Sequence, residues 1–212
     1  MTVLALDTAS PRPAVALVSN GKLFEELLPG DRRASEDLLP ALRRALAAAG
    51  VSLGQCARIG VCAGPGSFTG LRVGLATAWG LGRALGIPVE PVSTLAAMAE
   101  AARSGASRVV AVLDAGRGDL VCERFDLGPA RARSLGPAAL LRGDAIAGFA
   151  ASDRVVAIPE SLVVPAAEPL AQSLAAALAA AIARQPGRDA ESGAALAIYS
   201  RPSAAEEKHG AA

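Results

Sequence analysis

Few residues of this chain have both the type and the spacing for chemistry. The densest group is Gly64-Pro65-Gly66-Ser67-Phe68-Thr69-Gly70-Leu71-Arg72, set between an apolar run at 59–63 and a helical pattern at 71–85. Three glycines, two hydroxyls and a proline there make a tight, backbone-rich turn. Glycine admits close approach by a ligand or by another backbone segment, and the unpaired amides at a helix start favour an anion or a hydroxyl acceptor. Two carboxylates extend the group: Asp7 ends the first apolar strand, and Asp114 ends a similar one half a chain later. Asp7, Thr8, Gly64, Gly66, Ser67, Thr69, Gly70 and Asp114 therefore form a candidate nucleotide site. The competing reading is a purely structural turn, since a glycine pattern alone is weak.

Three known loops can be compared with it. A Walker-type phosphate loop ends in Gly-Lys-Ser/Thr, whereas Gly70 precedes Leu71 and the only lysines are Lys22 and Lys208. In the dinucleotide fingerprint the third glycine comes one residue earlier than Gly70, although Glu90 stands near the position of a ribose-binding acid. A nucleophile elbow requires glycines where Pro65 and Thr69 stand. The single histidine, His209, lies in the C-terminal tail, which leaves Ser67 without a histidine partner and argues against proteolysis, histidine catalysis and histidine metal sites.

Composition narrows the classes further. With 212 residues, 52% of them apolar, the chain can bury one large core or two small ones. Its 21 basic and 20 acidic residues leave a formal charge of +1, without the basic excess of a dedicated nucleic-acid surface. Cys56, Cys62 and Cys122 are odd in number and form no C-x-x-C pair, which predicts reduced thiols in a cytoplasmic protein. Asp7 interrupts the first apolar run, which argues against a signal peptide, and the run at 174–183 is too short to span a bilayer.

The elements that must position these residues follow from periodicity. Val3 to Leu6, Ala14 to Val18 and Leu23 to Leu28, with Asn20-Gly21 at a turn, predict an antiparallel meander. Ser35 reads as the cap of a helix running to Ala49, with Pro40 one turn inside and Gly50 past its end. A strand at 59–63, the helix 71–85, a strand Val89 to Val92 and a helix from Thr94 to Ala102 capped by Ser93 complete the first half. After residue 104 the device recurs: Val110 to Leu113, Asp114, a turn, then Leu120 to Phe125. This predicts a duplicated α/β fold with lobes at 1–104 and 105–202 and a mobile tail at 203–212. In the second lobe, Pro137 to Arg142 reads as a short helix, Val155 to Ile158 as a strand, Leu170 to Arg184 as an Ala-rich helix and Ala195 to Ser200 as a last strand.

The segments VLALDTAS, ASEDLLPAL, GPGSFTGLRVG, GIPVEPVSTLAAMA, LDAGRGD and AIYSRP occur in the order and spacing of one family. The chain resembles the TsaB (YeaZ) family over nearly its whole length. The resemblance implies a duplicated actin-like ATPase (ribonuclease H-like) fold whose second lobe is reduced. It implies an accessory, non-catalytic subunit in bacterial tRNA threonylcarbamoyladenosine synthesis, with no cofactor of its own, paired with a TsaD-like catalytic paralogue and a TsaE-like ATPase. Self-association as a homodimer is the other arrangement it implies, and tRNA is met only through the complex. Many members carry a histidine where this chain has Ala34, and the turn after Asp7 has two prolines and no glycine, which removes amide donors.

Partner contacts are expected on two helices. Leu38, Leu39, Leu42 and Leu46 on the first, and Arg72, Leu75, Ala76, Ala78 and Trp79 on the smooth, glycine-rich second, form the candidate surface. The rival class is a stand-alone nucleotide-dependent phosphotransferase of the actin-like superfamily, built on Asp7, Asp114 and the glycine-rich turn.

Overall fold

A computed structural model describes residues 1–29, 34–104, 107–161 and 167–184. The first half follows the predicted order: β1 (Thr2–Asp7), β2 (Ala14–Ser19), β3 (Lys22–Leu27), α1 (Ala34–Ala49), β4 (Cys56–Cys62), α2 (Phe68–Leu85), β5 (Val89–Val92) and α3 (Thr94–Ala101). The sheet order is β3-β2-β1-β4-β5, antiparallel among the first three strands and parallel from β1 through β4 to β5. Asn20 and Gly21, both at positive φ, make the β2–β3 turn.

The second half comprises β6 (Arg108–Gly116), β7 (Asp119–Asp126), β8 (Arg133–Ser134), β9 (Ala139–Arg142), α4 (Ile146–Ala150), β10 (Arg154–Ala157), β11 (Glu168–Pro169) and α5 (Leu174–Ala183). Its sheet runs β11-β10-β6-β7-β8, with β9 also on β7. Here β6 repeats the part of β1: it has an antiparallel hairpin neighbour on one side and a parallel neighbour, β10, on the other. Between β10 and β11, where the first half inserts the long α2, the described residues hold only a three-residue turn at Pro159–Ser161. This is a duplicated α/β architecture with a reduced second half.

Three expectations are corrected. Residues 139–142 pair with β7 as a strand instead of forming a short helix, because alternate side chains Ala139 and Leu141 turn inward while Leu140 and Arg142 face water. Ser35 lies inside the first turn of α1 instead of capping it. The helix α2 begins at Phe68, so Thr69 and Gly70 belong to its first turn instead of the preceding loop. The expected strand at 195–200 and the tail at 203–212 lie outside the described residues.

The two faces of the first sheet differ in side-chain size. Leu4, Leu6, Val15, Leu17, Ile59 and Val61 meet α1 and α2 on one side. Val3, Ala5, Ala14, Ala16 and Gly60 form the other side, where α5 packs across β1, β2 and β4 and against α3. Apart from Ala180 and Ala183, every residue of α5 is buried, as expected of a helix apolar all round. The same cluster takes in Val109, Ala111, Leu113 and Phe125 of the second sheet, so one core spans both halves.

The halves are also joined by charge. Across residues 127–132, between β7 and β8, Arg131 donates to Glu90 of β5, which also accepts from Arg58 Nη2 at 2.6 Å. Glu100 at the end of α3 takes Arg103, Arg184 and the amide of Ala132. Burial by itself raises the Glu100 carboxyl, but the bonds from Arg103 and Ala132 and the charges of Arg103 and Arg184 outweigh it and hold the group below its ordinary value.

Two tests follow from this packing. A Cβ on Gly60 would lie 2.5 Å from Ile182 Cδ1 and 3.0 Å from Leu178 Cγ. Gly60→Val should therefore cost about 1–3 kcal/mol in urea unfolding by overpacking, and Ile182→Val in the same chain should recover part of the loss. For Glu100, the native state binds fewer protons than the unfolded one below the unfolded value of 4.5. Its stabilisation is complete above that pH and disappears as pH falls through the lower folded value. Glu100→Gln should lower stability at neutral pH and flatten this acid limb when Tm is measured against pH.

Candidate functional site

The candidate residues gather where the β1–β2 turn meets the N-terminus of α2. Asp7, completely buried, accepts the amides of Ala9 (2.9 Å) and Ser10 (3.2 Å) and the Ser10 hydroxyl (2.5 Å). Burial pushes its carboxyl up from the ordinary value, opposed by these bonds and by one from the Cys62 thiol. Cys62 itself is pushed well up by burial and by the adjoining Asp7, which holds it as a thiol and removes it as a nucleophile. The carboxylate of Asp7 is thus committed to folding its own turn, a common use of aspartate at such positions.

The glycine-rich turn is closed by backbone contact. Ser67 N donates to Ala9 O at 2.8 Å, and Thr8 Oγ1 donates to Gly70 O at 2.6 Å. A Cβ on Gly66 would meet Ala9 O at 2.4 Å, on Gly70 would meet Thr8 O at 1.8 Å, and on Gly74 would meet Thr8 Oγ1 at 2.4 Å. These glycines, four residues apart, Gly66 in the turn and Gly70 and Gly74 on one edge of α2, let the helix lie on the first turn. Ser67 caps α2, its Oγ accepting from Gly70 N at 3.2 Å. Gly64, at φ 105°, gives its carbonyl to Thr94 N at 2.7 Å and so ties the turn to α3.

A cleft of about 410 Å³ remains beside this junction, lined by Thr8, Ser10, Pro11, Pro13, Ser67 and Thr69 together with the start of α1 and Val73. Its hydroxyls are partly used: Thr8 serves Gly70, and Ser10 serves Asp7 and the Arg12 amide. Asp114 does not line it. That residue is exposed on the second sheet and caps its own turn through the Gly116 amide at 2.7 Å. Thus Thr8, Ser67, Thr69 and Gly70 share the cleft, Gly66 packs behind it, Asp7 is buried beneath its turn, and Asp114 stands apart.

No group of three or more His, Cys, Asp or Glu among the described residues has the spacing to hold a metal ion. Cys56 and Cys122 are buried thiols pushed by burial to about 11 and about 12. Two contacts escaped the sequence reading: that of Gly74 with Thr8 of the same chain, and that of Cys62 with Asp7, which only the β1–β4 register brings together.

The partner candidates divide sharply. Leu38, Leu42, Leu75 and Ala78 are buried in this chain's own core, and Leu46 and Trp79 are half-buried against it. The placement of Leu38, Leu42, Leu75 and Ala78 in that candidate surface is corrected on this ground, because α1 and α2 spend these side chains on the large-residue face of the sheet, whereas Leu46 and Trp79 keep part of their surface exposed. Leu39, Arg72 and Ala76 face outward, with Arg72 stacked 3.8 Å over the Phe68 ring.

The closed turn predicts opposite outcomes for two glycines of one helix. Gly70→Ala should lose about 1–3 kcal/mol or more in chemical denaturation, because the obstacle is backbone. Gly80→Ala, with nothing within 4 Å of its added carbon, should gain about 0.5–1 kcal/mol from helix propensity.

Comparison with known proteins agrees with this geometry. The model of the tRNA N6-adenosine threonylcarbamoyltransferase family, TsaD, matches residues 30–185. The tRNA threonylcarbamoyladenosine biosynthesis protein TsaB of Escherichia coli is 37% identical over 122 residues, 57% of this chain and 53% of that protein. Its Haemophilus influenzae counterpart is 40% identical over 117 residues, 54% and 50% of the two chains, so the match spans about half the length of each relative. An uncharacterized Mycobacterium tuberculosis protein is 36% identical over 174 residues, 79% of each chain. The solved structure of YeaZ from Pseudomonas aeruginosa superimposes with a TM-score of 0.76 at 31% identity, covering 93% of this chain and 99% of that one. With this sequence likeness, this superposition and the duplicated actin-like, ribonuclease H-like architecture, the chain belongs to the TsaB/YeaZ family.

Proposed function

We propose that this protein acts in tRNA threonylcarbamoyladenosine biosynthesis as a non-catalytic scaffold, associating with a TsaD-like catalytic paralogue and a TsaE-like ATPase. The observation that carries the reading is the closed junction between the first turn and α2. An actin-like phosphotransferase holds its phosphates with free amides on such turns. Here Ser67 N is given to Ala9 O, and carbonyls of Thr8 and Ala9 occupy the space over Gly70 and Gly66. Pro11 and Pro13 remove two further donors. Asp7 is buried, and neither it nor Asp114 lines the cleft. The stand-alone phosphotransferase reading thus lacks its phosphate cradle. A peptidase reading has no support either, because Ser67 is a helix cap and no described residue is a histidine.

The partner surface is the outward side of α1 and α2, which lie next to each other on the first sheet. Leu39 is 48% exposed there, and Arg72 and Ala76 are exposed on α2. The reading places the protein in the cytoplasm, with tRNA met through the assembled complex; the three cysteines are free and buried.

Reconstitution tests it. With the TsaD-like and TsaE-like partners, ATP and the threonylcarbamoyl donor, tRNA should acquire threonylcarbamoyladenosine only when this chain is added. The isolated chain should show no ATP turnover. A turnover that Asp7→Ala abolishes in a clean preparation would overturn the scaffold reading. Leu39→Glu or Ala76→Glu should abolish co-elution with the partner while leaving cooperative unfolding intact. Leu42→Glu and Ala78→Glu should instead unfold the chain.

A further inference from the structure

The first sheet ends in an edge that no strand among the described residues covers. There β3 pairs with β2 on one side only. Leu28 N donates to Pro13 O, so the even-numbered residues of β3 turn their amides and carbonyls to β2. Those of Leu23, Glu25 and Leu27 point to the open side. Leu23 and Leu27 are 48% and 45% exposed, both on the sheet face that carries α5. An open strand edge with large apolar side chains is a template for a further strand.

The charges on β3 select the strand that fits. Lys22 and Glu26 stand two residues either side of Phe24, on the face toward α1. A second β3, antiparallel and aligned about Phe24, sets Lys22 of each copy opposite Glu26 of the other and Phe24 opposite Phe24. Opposite charges and aromatic pairs directly across a strand pair stabilise it. The open amides and carbonyls of Leu23 and Glu25 then meet as hydrogen-bonded pairs, and each Leu23 lies diagonal to Leu23 and Leu27 of the other copy. Sliding the register by two residues puts Glu25 against Glu25 or Lys22 against Phe24, which loses the charge match. Lys22 is exposed, and Arg44 Nε takes Oε2 of Glu26 at 2.8 Å, which leaves Oε1 to a lysine among the described residues.

The helix layer fits the same arrangement. Because α1 lies over β2 and β3, strands about 4.8 Å apart set the two α1 axes about 10 Å apart, the spacing of packed helices. The flank of α1 on that side carries exposed Ala47 and Ala48 beside Arg44, short enough for such an approach. We propose that β3 is a self-association edge, on which a second copy of this chain pairs antiparallel about Phe24 and joins two five-stranded sheets into one. Leu39 lies about 140° round α1 from Arg44, so the helix surface assigned to the catalytic paralogue stays open in the dimer. The two surfaces are independent, and so are their tests.

Sedimentation velocity of the isolated full chain across the micromolar range tests it, with a reversible dimer expected. Glu25→Pro removes an outward amide and spares the ladder to β2, so it should give a monomer that still unfolds cooperatively. Lys22→Glu should weaken the dimer about tenfold, because like charges then meet twice. Lys22→Glu/Glu26→Lys should restore most of the loss, since the charges are exchanged and not removed. Leu39→Glu should leave self-association unchanged. A monomer at every concentration would overturn the edge, as would a dimer indifferent to Glu25→Pro and Lys22→Glu, or a charge exchange that restores nothing. A dimer lost in Leu39→Glu but kept in the β3 variants would also overturn it, by placing the two copies on the helix surface.

Discussion

The structure depends on the contact between the first β-turn and the glycine edge of α2. Carbonyls of Thr8 and Ala9 fill the space that side chains at residues 70 and 66 would need. The Ser67 amide and the Thr8 hydroxyl then bond across the same junction. This close approach holds α2 over the end of the first sheet, and through Gly64 and Thr94 it ties the start of α3 to the same point. The hydrogen-bonding capacity that a nucleotide-binding relative would direct at phosphate is here used within the protein. One geometric fact therefore bears on both stability and function.

A second constraint acts on the opposite face of the first sheet. Ala5, Ala14, Ala16 and Gly60 are small, so α5 can lie close to β1, β2 and β4. Because α5 follows the second half in sequence, its return makes the two halves share one core. The ion clusters at Glu90 and Glu100 reinforce the same junction from outside.

Function on this reading has moved from the cleft to the outer surface. The sheet-facing sides of α1 and α2 are occupied by Leu38, Leu42, Leu75 and Ala78. Only the outward residues of these helices remain to meet another protein. The Arg72–Phe68 stack lies at the same end as the glycine-rich turn, so that turn orders the surface as well as the core.

The sequence by itself determined the element order of the first half, the duplication and the importance of the 64–72 segment. Those features are local: alternation fixes strands, the Asn20-Gly21 pair fixes a hairpin, and helical spacing fixes α1 and α2. It also showed, in Pro11 and Pro13, that amide donors were missing from the first turn. Periodicity failed at residues 139–142, where a four-residue run is too short to separate a helix from a strand until β7 supplies a partner. It failed too for Leu38, Leu42, Leu75 and Ala78, because an apolar helical stripe looks the same whether it meets its own sheet or another protein. Only tertiary structure decided that Asp7 folds its own turn while Asp114 stands apart. Only tertiary structure joined Arg58, Glu90 and Arg131, since these residues are distant in sequence and nothing local specifies which charges will share a buried seam.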